Sequence, residues 1–452
     1  MSQSELTLRT KISYGMGDVG FALAGVMLSM ILAVFLTDVA GIRPAYAAIV
    51  IFIGRTWDYV NDPIIGFIAD RTNTRWGRYR PYLLWSAIPF GVTFALLWWV
   101  PPLKTEIGLV VYYAAIYFVH EAATTFGLIP YVSLTPTLSP HYDDRTTLTS
   151  FRMVFSIIGT LLAAVVPLAI IGVIDVTKQS MFLYVGMGMG VIAATPLFGT
   201  FFGTKEKILY DPENKPALLE SLKAAAKNRP LVFAIFIYLL TITGLEVGTS
   251  VTLYYLRYSI DIAADADIFI GIMFIVAIVF IPVWNKISSI LNKTKAFIIG
   301  GAIMVVTRIL FMFMAPHTPV MYLYAITVIS GIGFAAIQML PWAIIPDTVE
   351  YDEYMTGERR EGIFYSLMIL LKSIAVSISL PLILVLMDFY GYVANADVQV
   401  KSADYTIRFL FGGAPALLFL GAMICAAFYP LTREKFEEIQ AVLKERRAKE
   451  TS

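Results

Sequence analysis

Three charged side chains lie close together in a stretch of sequence that is otherwise apolar. Arg55, Asp58 and Asp62 occur within GRTWDYVNDPIIG, at spacings of three and four residues that place them on one face of a helix. A structural ion pair between the arginine and one aspartate would leave the second carboxylate without a partner. Two carboxylates together with neutral oxygens could instead bind Na⁺ or take up a proton. The pattern therefore favours a site for a coupling cation.

Neutral oxygens for such a site occur nearby in the sequence. Asn61 is adjacent to the charged face. Thr125, in another apolar segment, lies four residues after Glu121 on the same helical face, and Glu121 is at about the depth of Asp58. We predict a cation site formed by Asp58, Asn61, Asp62 and Thr125, with the two aspartates as metal ligands if the ion is Na⁺. The sequence leaves the choice between Na⁺, H⁺ and Li⁺ open.

Other charged residues also interrupt apolar segments, where a charge costs about 3 kcal/mol on insertion scales. Glu121 and Lys372 lie deep in their segments, so each needs a partner, a watery cavity or a substrate. Arg152 begins its segment, and either a functional role or contact with the interface explains it. Gln338 and Trp342, four residues apart, suit contact with a sugar, but helix packing explains them equally well. The predicted substrate-binding residues are Asp18, Glu121, Arg152, Glu246, Gln338, Trp342 and Lys372.

The composition indicates the environment of these charges. Of the 452 residues, 58% are hydrophobic and 15% are charged, whereas soluble domains are about 45–50% apolar and about 25% charged. A soluble enzyme, a nucleic-acid binder and a disordered scaffold are therefore excluded, and the net charge of +1 offers no basic field for nucleic acid. The single cysteine, Cys425, excludes an intrachain disulfide. The chain is expected to be an integral membrane protein.

About twelve apolar segments reach the length of roughly 20 residues that a helix needs to cross a bilayer. The alternating pattern of a membrane β-barrel is not found in them. We therefore predict an all-α membrane protein with twelve transmembrane helices. The segments lie near 12–36, 45–69, 81–101, 107–134, 150–173, 180–203, 230–258, 266–291, 295–315, 318–345, 361–387 and 406–430.

Lysine and arginine are unevenly distributed between the segments. With a cytoplasmic N-terminus, the inner connections carry about 24 of these residues and the outer loops about four, which predicts both termini in the cytoplasm of a plasma (inner) membrane. The polar stretch 204–229 is a predicted cytoplasmic loop between a six-helix half at 1–203 and another at 230–430. Residues 431–452 are a predicted cytoplasmic tail.

Several motifs together carry a family resemblance. The loop at 66–82, GFIADRTNTRWGRYRPY, fits the G-x-x-x-D-[RK] motif of the major facilitator superfamily, and a second basic loop lies at 282–297. The sequence resembles the glycoside–pentoside–hexuronide:cation symporters of that superfamily, the branch that contains melibiose permease. The segments that carry the resemblance are KISYGMGDVG, WDYVNDPIIGFIADRTNTRWGRYRPY, LIPYVSLTP, DDRTTLTSFR and PDTVEYDEYMTGERREGIFYSLMILLK.

This resemblance implies two pseudo-symmetric six-helix halves that move a glycoside or uronide with a cation by alternating access. It assigns the cation to the four residues predicted above, and it places Arg152 and Lys372 in the central cavity. It also implies salt bridges that close the cytoplasmic side. The residues of this predicted gate are Arg71, Arg78, Arg145, Asp347, Glu350 and Glu353.

The sequence departs from melibiose permease where that protein holds its galactoside. Ala22 and Leu128 occupy the positions of its two substrate-binding aspartates. Because two anions are lost while the basic cavity residues remain, we predict an acidic sugar, such as a hexuronide or a uronate oligosaccharide. Asp18 and Glu121 would work against this preference by restoring negative charge.

Other functions are compatible with parts of the sequence. A vertebrate branch with the same fold moves lysolipids. A channel would require no alternating gate charges, and a membrane sensor without transport activity is a further alternative. A membrane enzyme would need a nucleophile or metal cluster, which three histidines and one cysteine do not supply. We expect no cofactor, no nucleic-acid partner and function as a monomer. The sequence leaves open whether His120, Glu246 and Arg308 are functional or structural.

Overall fold

The structure is a computed structural model in which nearly all described residues are helical. An isolated bridge between Thr74 and Gly77 is the one β contact found in this part of the chain. The described residues are 6–139, 142–172, 174, 176–206, 228–262, 265–316, 318–357, 361–431 and 433–450.

Within these ranges twelve long helices, α1 to α12, follow one another, and a further helix, α13, follows them. Three of the twelve contain a turn of π-helix. These are α1 (Leu8–Gly15, Gly17–Met30, Leu32–Val34 and the π turn Phe35–Val39), α7 (Arg229–Tyr254 and the π turn Tyr255–Ser259) and α12 (Lys401–Arg408, the π turn Phe409–Gly413 and Ala414–Ala427). The others are α2 (Pro44–Arg71), α3 (Arg80–Leu97), α4 (Glu106–Ser133), α5 (Tyr142–Ile171), α6 (Gln179–Gly203), α8 (Ala266–Leu291), α9 (Lys293–Met312), α10 (Val320–Thr356), α11 (Glu361–Phe389) and α13 (Arg433–Glu450).

The predicted all-α fold with twelve helices is confirmed. Ten of the described helices are long and apolar enough to cross a membrane, and the other two of the twelve are α2 and α3. α2 has 28 residues but carries the charges described above, and the 18 residues of α3 include Arg80, Pro81 and Tyr82 at its start, so both helices are less apolar than the others. The predicted ends are less accurate, because α10 continues to Thr356 and α5 already begins at Tyr142. These extra turns are polar, so a search for apolar segments does not detect them.

The helices pack in two groups that repeat the same contacts. α1 packs on α5 and α6, α2 on α4, and α3 on α4 and α6. In the same way α7 packs on α11 and α12, α8 on α10, and α9 on α10 and α12. This repetition confirms the two pseudo-symmetric six-helix halves. The halves meet through α1 with α7, α2 with α11, and α5 with α8.

We call the side where α1 begins and α12 ends the terminal face, and the side where α1 and α7 end the distal face. At the distal face the π turns Phe35–Val39 and Tyr255–Ser259 occupy equivalent positions in the two halves. In both, the N–H after the turn donates to the carbonyl of its first residue, at 2.8 and 3.3 Å. Gly41 and Asp261 then reverse the chain with φ angles of 73° and 57°. Such turns frequently mark functional positions in helices.

Candidate functional site

A cavity of about 310 Å³ lies between the two halves. Its walls come from α1, α2 and α4 of the first half and from α11 of the second. Arg55, Glu121 and Lys372 line it together with hydroxyl groups such as those of Thr124 and Ser377. Its volume lies at the lower end of the range of roughly 300–1,000 Å³ for small-molecule pockets. The cavity therefore suits a small polar solute.

The ion pair between Arg55 of α2 and Glu246 of α7 crosses the interface between the halves beside this cavity. The Nη2 atom of Arg55 lies 3.1 Å from Oε1 of Glu246 and donates to the Ser29 hydroxyl at 2.8 Å. The two charged side chains are only 13% and 15% exposed. Ser377 of α11 donates to the Arg55 backbone carbonyl at 3.1 Å. Among the described side chains, Glu246 in the other half is thus an ion-pair partner of Arg55.

A second buried ion pair lies within the first half. Arg152 of α5 donates to the carboxylate of Asp18 on α1 at 3.2 and 3.3 Å. Its guanidinium also lies 5.0 Å from the ring centroid of Tyr131. Two predicted substrate residues are therefore paired with each other, and the residues that line the cavity do not include them.

The remaining predicted substrate residues lie in different places. Glu121 and Lys372 line the cavity. Glu246 is not among the lining residues, but it pairs with Arg55, which lines the cavity. Gln338 and Trp342 are exposed positions of α10 outside the cavity lining. Trp342 packs edge-on against the ring of Tyr238 at 4.9 Å.

The predicted cation residues lie on α2 and α4, two helices that pack closely together. Asn61 is 4% exposed and Thr125 is 1% exposed, whereas Asp62 is half-buried. The Asn61 amide nitrogen is buried without a hydrogen-bond partner among the described residues. The side chain of Asp58 lies outside the described part of the structure. The cation site stays a prediction.

His120 of α4 contributes to the wall of the cavity but is itself completely buried. Its Nδ1 atom lies 3.0 Å from the Thr93 hydroxyl, and its ring stacks on Phe90 with centroids 5.3 Å apart. These contacts are those of a packing residue between α3 and α4.

The distal face is closed by a network centred on Asp38, which is completely buried in the π turn of α1. Its carboxylate accepts hydrogen bonds from Arg257 and Tyr258, in the π turn of α7, and from Tyr392, which follows α11. Asn395 donates to the backbone carbonyl of Asp38 at 2.8 Å. The two halves are therefore joined on the distal side of the cavity. Sequence reasoning missed this network, although Asp38 stands out as a charge in the apolar run FLTDV.

On the terminal face, the loop between α2 and α3 is held by Glu206. Its carboxylate accepts hydrogen bonds from the backbone N–H groups of Arg78 and Tyr79, both at 2.8 Å. Gly77 has a φ angle of 110°, and a Cβ atom there would lie 2.5 Å from the Glu206 carboxylate. The Tyr79 hydroxyl donates to Asp70 at 2.8 Å, and burial together with this hydrogen bond raises the pKa of Tyr79 to about 12.

Two of the predicted gate arginines have described contacts in or beside the loop between α2 and α3. Arg71 is exposed, and its guanidinium lies 3.4 Å from the ring centroid of Phe67. Arg78 belongs to the loop that Glu206 holds. The side chain of Arg145 lies outside the described residues.

The predicted gate carboxylates lie on the terminal end of α10. Asp347 accepts hydrogen bonds from Lys293, the first residue of α9, at 2.7 and 2.8 Å. Glu350 accepts from Gln440 of α13 at 3.1 Å, and Glu353 is half-buried. The described partners of Asp347 and Glu350 thus lie in the second half and the tail helix, and not in the first half.

Comparison with known proteins gives the same fold and a common activity. The sequence profile of the family described as MFS/sugar transport protein matches residues 13–433. The putative glycoside/cation symporter YagG of Escherichia coli is 26% identical over 98% of this chain and 96% of its own length. The sodium-dependent lysophosphatidylcholine symporter 1-A of Danio rerio is 25% identical over 96% of this chain and 87% of its own. The crystal structure of the nucleoside transporter NupG covers 93% of this chain with a TM-score of 0.65 and 15% identity, a likeness of fold alone.

Proposed function

This chain belongs to the MFS/sugar transport protein family, and on that premise we propose that it carries a glycoside across the membrane together with Na⁺. The family match and the symporter relatives make the chain a multi-pass membrane symporter coupled to a cation. The observation that carries the proposal for the solute is the cavity between the halves. Its charged and hydroxyl-bearing walls can bind the hydroxyl groups of a sugar.

We propose that the terminal face is cytoplasmic and that the membrane is the plasma (inner) membrane. The connections on the terminal face carry about 24 lysines and arginines, against about four on the distal loops, as the positive-inside rule requires. The network of Asp38 then closes the protein toward the outside. The functional units would be the halves 1–203 and 230–430, joined by the loop 204–229 and followed by the tail 431–452, within one monomer.

The cation would bind between α2 and α4, at Asp58, Asn61, Asp62 and Thr125. Burial of Asn61 and Thr125 supports a dry site, because neutral oxygens inside a membrane need partners. Na⁺ is favoured over H⁺ because the zebrafish relative is named as sodium-dependent. Two carboxylates with neutral oxygens also match the oxygen ligands that a hard cation prefers.

Transport would proceed by rocking of the halves around the cavity. Opening toward the distal face would require Arg257 to separate from Asp38. The terminal face would then close through the predicted gate. Asp347 would leave Lys293 and Glu350 would leave Gln440, and both carboxylates would pair with arginines of the first half. The residues of that gate are Arg71, Arg78, Arg145, Asp347, Glu350 and Glu353.

The preference for an acidic sugar would depend on Lys372. Arg152 is paired with Asp18 and Arg55 with Glu246, so neither adds a net positive charge. Lys372 lines the cavity together with Glu121. We propose that Lys372 contacts the carboxylate of a hexuronide.

Uptake into proteoliposomes with an inward Na⁺ gradient tests the proposal, with a methyl glucuronide and the matching neutral methyl glucoside as substrates. We expect Na⁺-dependent uptake, stronger competition by the glucuronide, and loss of this preference in Lys372→Gln but not in Lys372→Arg. A preference for the neutral glycoside would overturn the acidic assignment and leave sugar symport intact.

The second candidate solute is a lysolipid. The lysophosphatidylcholine symporter of Danio rerio supports it, because that protein matches 96% of this chain. If Na⁺ drives uptake of lysophosphatidylcholine and of neither glycoside, the transported solute is a lysolipid and not a sugar. Absence of Na⁺-dependent uptake of all three would overturn the proposed function.

A further inference from the structure

Arg308 of α9 is a buried cation that no described carboxylate neutralises. The residue is 4% exposed, and among the described residues no carboxylate oxygen lies within the 4.0 Å of an ion pair with it. Its Nη1 atom donates to the backbone carbonyl of Phe411 at 3.2 Å, and its guanidinium lies 4.7 Å from the ring centroid of Phe411. Its Nε atom is buried and has no hydrogen-bond partner within the described part of the chain. The charge thus has one neutral acceptor and an aromatic face.

Four other arginines that are buried or half-buried in the described helices each have a carboxylate partner. These pairs are Arg55 with Glu246 at 3.1 Å, Arg152 with Asp18 at 3.2 Å, Arg257 with Asp38 at 2.9 Å and Arg408 with Asp404 at 2.8 Å. Because an unneutralised charge inside a membrane is costly, Arg308 requires a negative partner from outside the described chain.

A small cavity beside Arg308 offers room for such a partner. It has a volume of about 20 Å³, more than the roughly 10–15 Å³ that one water molecule requires. Thr249 of α7 and Ser330 of α10 line it together with Arg308. The described partner of the Ser330 hydroxyl is the sulfur of Met304 at 3.7 Å, a weak acceptor. Its proton is therefore available to a stronger acceptor in the cavity.

Gly248 of α7 leaves the space that the guanidinium occupies. A Cβ atom at this position would lie 3.1 Å from both terminal nitrogens of Arg308. The close approach brings the positive charge against α7, where Thr249 follows in the sequence. The cavity is thus bordered by one guanidinium and by two hydroxyl groups that can donate.

We propose that this cavity binds a single chloride ion, held by Arg308, Ser330 and Thr249. The volume admits one atom of that size, and a chloride ion is the smallest common anion that accepts hydrogen bonds from a guanidinium and hydroxyl groups. A water molecule would fit, but it would leave the charge of Arg308 unbalanced. The ion would bind α7, α9 and α10 together and stabilise the second half, independently of which solute the protein carries.

Thermal unfolding of the purified full-length protein tests the site, in equal concentrations of NaCl and of sodium gluconate. An anion that binds only the folded state raises the midpoint, so chloride should raise it by about 2 °C or more over gluconate. Arg308→Gln should abolish this difference, and Ser330→Ala should reduce it while the charge remains. Arg408→Gln is the matched control, because Arg408 already has Asp404 as its partner, and it should keep the chloride effect.

Equal midpoints of the unsubstituted protein in the two salts would overturn the proposal, since the cavity would then hold water. A full chloride effect in Arg308→Gln would overturn it as well. If Arg308→Gln does not fold, Ser330→Ala decides, because an undiminished chloride effect in that variant contradicts the assigned ligand.

Discussion

Asp38 and Arg257, 219 residues apart in the sequence, form an ion pair of 2.9 Å between the equivalent π turns of the two halves. The aspartate side chain is completely buried and that of the arginine is 17% exposed. Because each residue belongs to a different half, rocking of the halves must break this pair. This buried ion pair, which two distant parts of the sequence form, is thus the charged contact at the centre of the network that closes the distal face.

Replacement Asp38→Asn should shift the protein toward a state that is open on the distal face. The amide cannot neutralise Arg257, so the closed state loses a charge-assisted hydrogen bond worth roughly 1.5–3 kcal/mol. We expect Ser373→Cys, placed in the cavity in a Cys425→Ala background, to react about tenfold faster or more with a membrane-impermeant maleimide from the distal side.

The control for this experiment is Glu106→Gln. Glu106 pairs with Arg43 at 3.1 Å on the same face but within one half, with side chains 30% and 65% exposed. Exposed pairs contribute little, so the labelling rate should stay unchanged. Equal rates in Asp38→Asn and the parent would contradict the assigned closing role of Asp38.

Asp58→Asn and Asp62→Asn should each abolish accumulation of substrate against its gradient. Both variants keep the volume of the side chain but remove a negative charge from the proposed cation site, so binding of solute is no longer coupled to Na⁺. Exchange of labelled for unlabelled substrate should continue. Asp397→Asn, at an exposed loop position, is the control and should accumulate normally. Full accumulation of substrate in both site variants would contradict the assignment of Asp58 and Asp62 to the cation site.

The Arg55–Glu246 pair should show strong non-additivity in stability. Arg55→Gln and Glu246→Gln each leave one buried charge without its partner, which costs about 3–5 kcal/mol. The double variant removes both charges, so its thermal midpoint should lie well above those of the single variants. If the double variant loses the sum of the two single losses, the two side chains do not stabilise each other.

Gly77→Ala should be more destabilising than Gly41→Ala. Both glycines have positive φ angles, 110° and 73°, at which an alanine costs roughly 1–2 kcal/mol. A Cβ atom added at Gly77 also meets the Glu206 carboxylate, whereas a Cβ atom added at Gly41 has no described atom within 4 Å. Thermal midpoints of the two variants measure the difference. Equal losses would show that Glu206 does not hold this loop.

Much of the fold could be predicted from the sequence because the bilayer imposes a length on every helix. The apolar runs predicted all twelve helices, and the polar turns at the ends of α5 and α10 account for the errors in their bounds. The loop motif and the α2 segment were sufficient to indicate the family, which the match over 13–433 confirms. The identity of the candidate residues, such as Glu121 and Lys372, also followed from their cost in an apolar span.

The sequence by itself thus determined which charges lie in the membrane, but only the tertiary structure decided how they are paired. Helical spacing placed Arg55 on one face with Asp58 and Asp62, whereas packing of α2 near α7 gave it Glu246 as a partner. Asp18 and Arg152 each looked like a substrate ligand until α1 and α5 brought them together. The physical reason is that an ion pair acts over a few ångströms, and distances of that size between helices depend on how the two halves pack.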